Sequence, residues 1–103
     1  MKHRITHGLS PELAKAAAEK AFATYAERFT EYRPVIRWLD ATRSQTTFTV
    51  KGLTLTGTIE IGPRDIVIDL LVPLLLRPFK SKAIEVIDRE IRVWVERART
   101  GQL

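Results

Sequence analysis

The chain has no cysteine at all. Disulfides, thiolate nucleophiles and sulfur-ligated metals are therefore excluded, and folding needs no oxidising compartment. Histidine is nearly absent too, with two copies, and the five glycines are scattered rather than gathered into a phosphate-cradling loop. Long apolar runs are missing except for one. Leu70–Phe79 is only half the ~20 residues a membrane-spanning helix needs, so no transmembrane segment is expected. Met1-Lys2-His3-Arg4 is basic, but no apolar stretch follows it, so a secretory leader is not expected either. A bacterial-type cytoplasmic protein is the simplest reading.

What remains is ordinary in amount and informative in arrangement. At 103 residues, 45% hydrophobic and 28% charged, the chain has the length and composition of one globular domain, residues 1–103, with its tail from about residue 100 frayed. The formal charge of +5 favours anionic partners. However, bases and acids alternate along the helices, as in Glu85, Asp88, Arg89, Glu90 and Arg92, which is the pattern of a solvated face.

Periodicity gives the elements in order. His3 to His7 alternates as a short strand with His3, Ile5 and His7 on one side. Ser10-Pro11-Glu12 is a helix start, with a capping hydroxyl, proline at the first position and an acid for the dipole. From there to about Thr30, Ala14, Ala17, Ala18, Ala21, Phe22, Tyr25 and Phe29 share one face, and the alanines permit close approach to a sheet. Four alternating segments follow, at Val35–Leu39, Thr46–Lys51, Leu53–Ile61 and Asp65–Leu70, joined by Gly52 and by Gly62-Pro63-Arg64-Asp65. Alternation with one polar face is the mark of an antiparallel sheet covered on one side. Gly57 interrupts the apolar row and predicts a bulge or bend. A last helix, from Phe79 or Ser81 to Arg99, carries Ile84, Ile87, Ile91, Trp94, Val95 and Ala98 on its core stripe, with Val86 and Val93 lying off it as stray surface valines. The expected fold is α+β: one curved antiparallel sheet with two helices packed on one face, in the order β-α-β-β-β-β-α.

Sites of chemistry are sparse. Residues four apart on a strand stand ~13 Å apart, so His3 and His7 cannot share a metal ion without a third element; no metal and no cofactor is expected. No nucleophile elbow or thiol is present, Ser10 reads as a cap and Ser44 as a turn residue, and no catalytic residue is assigned. The outward Thr47, Thr49, Thr54, Thr56 and Thr58 suit the wet side of a sheet. Lys80-Ser81-Lys82 loosely matches the lysine-led helix of double-stranded RNA-binding domains, but the strand count differs and the helix soon turns acidic. Nucleic-acid binding is thus a minor alternative.

The run Leu70-Leu71-Val72-Pro73-Leu74-Leu75-Leu76-Arg77-Pro78-Phe79 has nine apolar residues of ten. It neither alternates like a half-wet strand nor has the polarity of a turn. Either it plugs the open end of the sheet–helix sandwich, or it is held out as an apolar patch.

The ordered pattern from Arg4 to Val95 resembles the small polyhydroxyalkanoic acid system proteins, encoded near polyhydroxyalkanoate genes. Its carriers are His7-x-Leu9 before the alanine-rich helix, Trp38 with Asp40, Phe48, Gly57-x-Ile59-x-Ile61, the leucine-rich turn into Pro78-Phe79-Lys80, and Ile84 and Ile91. Leu39 stands where a glycine is expected between tryptophan and aspartate. The resemblance implies a non-enzymatic accessory role in apolar contact with a polyhydroxyalkanoate granule or its coat proteins, and supplies no catalytic residues. The binding candidates are Leu71, Leu74, Leu75, Leu76 and Phe79, rimmed by Arg77, Lys80 and Lys82. The leucine-rich turn and terminal helix also resemble helix-grip domains that hold lipids in an apolar cavity, here a reduced one. A homo-oligomer joined through Val86, Val93 or an edge strand is a further reading.

Overall fold

The computed structural model describes residues 2–72 and 74–103, without the side chains of Leu74, Leu75, Phe79 and Lys80. Its strands are β1 (Lys2–Thr6), β2 (Val35–Trp38), β3 (Arg43–Val50), β4 (Leu53–Ile61) and β5 (Asp65–Leu71). Helix α1 (Pro11–Arg28) follows β1, and α2 (Lys80–Arg99) follows β5 after a 3-10 helix, Leu74–Phe79. A second 3-10 turn, Thr30–Tyr32, leads into β2. The strands form one antiparallel sheet in the spatial order β1-β5-β4-β3-β2. Both helices lie on one face of it, as the alternation of the strands and the stripes of the helices require.

Local chemistry explains the joints. Ser10 caps α1 by accepting a hydrogen bond from the Leu13 amide at 3.2 Å, and Pro11 occupies the first turn, where its missing N–H costs nothing. Between β3 and β4, Lys51 at φ 52° and Gly52 at φ 77° form a two-residue hairpin loop, whose positive φ angles give a turn that matches the right-handed twist of the paired strands. That loop sets Val50 opposite Leu53 and Phe48 opposite Leu55, so all four side chains point under the helices.

The alanines of α1 do what their size suggests. Ala14, Ala17, Ala18 and Ala21 are buried, and with Ile5, Ile59, Ile66, Ile68, Leu70, Ile84, Ile91 and Val95 they belong to one core cluster. The two helices run in opposite directions. The start of α1 and the end of α2 meet near His7, where Arg99 reaches the His7 carbonyl at 3.0 Å. The end of α1 and the start of α2 meet at the far end of the sheet.

Three local expectations are corrected. The ladder runs through Gly57 without a bulge, pairing it with Thr46 on one side and Leu70 on the other. The glycine answers instead to close approach: a Cβ there would stand 3.2 Å from both Leu70 Cδ1 and Thr46 Oγ1. Ser44 is a strand residue, because β3 begins at Arg43; it is fully buried, and its hydroxyl faces the Ile59 carbonyl at 3.5 Å. Val86 is no stray surface valine, since it lines the hollow described next.

Candidate functional site

The sandwich of sheet and helices is closed differently at its two ends. At the end where β1 stops, His7 is fully buried. Its Nδ1 accepts from the Leu9 amide at 2.9 Å and its Nε2 donates to the Gly62 carbonyl at 2.8 Å. Those partners define a neutral ring with its proton on Nε2. Asp40 organises the neighbouring β2–β3 turn. Its Oδ1 accepts from the amides of Thr42 (2.9 Å) and Arg43 (2.8 Å), and its Oδ2 accepts from the Arg43 guanidinium. These bonds, led by the one from the Thr42 amide, hold the Asp40 carboxyl down at about 2.

The opposite end is hollow. A cavity of about 310 Å³ opens between the end of α1, the 3-10 helix, the start of α2 and the sheet. One wall is aromatic: Tyr25, Phe29, Tyr32 and Phe48. Tyr25 packs edge-on against Phe48 at 5.5 Å and tilted on Phe29 at 4.7 Å, and Phe29 stacks on Tyr32 at 5.9 Å, so the wall is a continuous set of rings. The facing wall is aliphatic: Val50, Leu55 and Leu70 from the strands, with Val72, Leu76, Ala83, Val86 and Ile87. Lys51 and Lys82 also line it, and no carboxylate stands among its described lining residues. Burial pushes the Tyr25 hydroxyl above its ordinary value, and nearby Tyr32 and Glu31 add to the shift, so Tyr25 stays a neutral donor. A smaller void of about 30 Å³ continues inward beside Gly57, Ile68 and Ile91.

The residues singled out in the apolar run separate on this frame. Leu76 is buried in the cavity wall, and Lys82 lines the same cavity. Arg77 is exposed but does not line it. Leu71 lies on the other side of the sheet, 65% exposed and paired with Thr56, because its neighbour Leu70 takes the inward position. The side chains of Leu74, Leu75, Phe79 and Lys80 lie outside the described residues, as does Pro73. Of the described leucines in the run, Leu70 and Leu76 turn inward and Leu71 outward, and a hollow lies beside Leu76. Sequence reasoning missed Val86, whose signal was its spacing from Ala83 and its place beside Ile87, a second apolar face at the start of α2.

The remaining chemistry is spoken for. His3 Nε2 meets Asp88 Oδ2, joining β1 to α2, and Arg92 holds the other oxygen of the same carboxylate. Desolvation would raise the Asp88 carboxyl, but the bonds from Arg92 and His3 outweigh it and the net shift is downward. Along α2, Arg89 pairs with Glu85, Arg92 with Asp88 and Arg99 with Glu96, so these arginines form no unopposed basic strip for a phosphate backbone. Among the described residues, no group of three His, Asp or Glu could hold a metal ion. Nor is any described helix long and apolar enough to cross a membrane.

A family model described as "Putative polyhydroxyalkanoic acid system protein" matches residues 2–94, which takes in the whole sheet, α1 and most of α2. No curated protein matches the chain.

Proposed function

This chain belongs to the polyhydroxyalkanoic acid system protein family, and on that premise we propose that it is a non-enzymatic, cytoplasmic accessory of the system that receives an apolar group in the cavity beside Leu76. The observation that carries this reading is the cavity itself. At about 310 Å³ it lies within the ~300–1,000 Å³ of small-ligand sites and, like them, has mostly apolar walls with a few polar groups. An unfilled hollow costs stability in proportion to its volume, so space left open in a small domain is a feature to explain. The segment carrying Leu74, Leu75, Leu76, Arg77, Phe79, Lys80 and Lys82 borders that mouth in sequence and is the proposed contact surface for a granule or its coat proteins.

The test uses an apolar fluorescent dye and poly(3-hydroxybutyrate) particles with the full chain. Saturable dye binding is expected, together with co-sedimentation with the particles. Ala83→Trp, at a half-buried position in the cavity wall, should abolish dye binding while the circular dichroism spectrum and Tm stay near those of the parent. Dye binding that survives a filled cavity, or a parent chain that binds neither dye nor particles, would refute the reading.

A further inference from the structure

Resting on that reading and deepening it, we infer that the cavity takes a neutral carbonyl compound, typified by an acyl ester, whose carbonyl oxygen accepts from the Tyr25 hydroxyl. Three observations point to this class of ligand. The first is the kind of polarity present. The polar side chains of the described lining are Tyr25, Tyr32, Lys51 and Lys82, and each carries a hydrogen-bond donor. None is a carboxylate or an amide, so a ligand group that only accepts is the better match to that set.

The second is an unused hydroxyl. Tyr25 packs its ring on Phe29 and Phe48, and among the described residues no hydrogen bond engages its hydroxyl. Burial nonetheless bears on that hydroxyl, and so does Tyr32, which lines the same cavity. No described buried polar side-chain atom is sealed off without a partner, so the hydroxyl meets accessible space rather than solid core. A partly buried phenol without an acceptor forgoes a bond that an inserted carbonyl would supply.

The third is charge. Glu31 is close enough to act electrostatically on the Tyr25 hydroxyl, so an anion accepting there would meet a like charge. Desolvating a carboxylate against aromatic and aliphatic walls also costs more than desolvating an ester. Both effects favour a neutral acceptor over a free acid at this position. The apolar remainder of the lining, Phe48, Leu55 and Leu70 among it, receives the ligand's alkyl parts.

The experiment displaces the apolar dye from the full chain with hexyl acetate and with ethyl hexyl ether, which share a skeleton and differ by the carbonyl oxygen. The ester is expected to compete about fivefold better, the worth of one hydrogen bond. Tyr25→Phe, which keeps the ring, should remove that advantage and leave dye and ether binding unchanged. With a carbon-13 label at the carbonyl, the infrared stretch of the bound ester should lie lower in the parent than in Tyr25→Phe. A change of packing alone would not produce that difference. Octanoate should compete less well than the ester. Equal competition by ester and ether, an advantage that survives Tyr25→Phe, or tighter binding of octanoate would overturn the carbonyl assignment and leave the apolar cavity reading intact. Failure of ester, ether and dye alike would bring down both.

Discussion

The two ends of this sheet are made by the same five strands and two helices, yet one is locked with hydrogen bonds and the other is left hollow. At the His7 end, each ring nitrogen has a backbone partner, Thr42 accepts from the Ile61 amide at 2.7 Å, and Arg99 reaches over from α2. At the Leu76 end, rings and aliphatic chains face one another across about 310 Å³. The inward side of β3 changes character along the same axis, from Ser44 and Thr46 to Phe48 and Val50. Burial of polar groups is tolerated only where each finds a partner. Directional bonds thus constrain the His7 end, whereas the apolar contacts of the Leu76 end carry no such directional demand.

That contrast can be broken or sharpened by substitution. The largest effect should come from His7→Leu, which strands the Leu9 amide and the Gly62 carbonyl and should destabilise the chain by about 2–4 kcal/mol in urea unfolding. A loss below about 1 kcal/mol would mean that the His7 end is not the lock described. Between the ends, Gly57→Val should cost about 1–3 kcal/mol, because its side chain would press on Leu70, Thr46 and the Asp69 carbonyl. Gly57→Ala should cost less, since the Leu70 methyl can give way towards the small void that both residues border.

At the hollow end the sign should reverse. Ala83→Leu adds apolar volume where space is free, and should change stability by no more than about 1 kcal/mol in the favourable direction. Marked destabilisation in the same urea experiment would show the hollow to be filled. The smallest expected effect is one of pH. Because the Asp40 carboxyl is depressed to about 2, its turn contributes stability that is fully present above the ordinary carboxylate value of 3.8 and is lost only as pH falls through about 2. A carbon-detected NMR titration of the Asp40 carboxyl should find its midpoint near 2. A midpoint near 3.8 would show that the turn's hydrogen bonds do not persist in solution.

Much of this architecture was legible because period and caps are local. The Ser10-Pro11 start, the alanine face of α1 and the alternation of Leu53–Ile61 each follow from a few consecutive residues, and the structure has them as expected. The front of β3 was illegible for a definite reason. Arg43, Ser44, Gln45 and Thr46 are all polar, so no alternation shows that Ser44 and Thr46 turn inward to meet the Ile59 and Gly57 carbonyls. Likewise, Val86 looked stray because helical period locates one stripe against one core, whereas the start of α2 has a second neighbour. The hollow itself is a difference between the space that the elements enclose and the side chains that enter it. Such a difference belongs to the assembled molecule and has no counterpart in any short stretch of sequence.

The Lys51-Gly52 loop has a consequence larger than its size. Because side chains on a strand swap faces at each step, the two-residue hairpin is what assigns Leu55 to the interior and Thr54 and Thr56 to water. One extra residue inserted there, with β4 slipping to keep its pairing with β3, would send a row of hydroxyls beneath the helices and a row of leucines and isoleucines outward. The hollow would then be wet and the uncovered face greasy. Which face of the sheet is oily and which is wet is thus set by a tight corner that itself need touch neither.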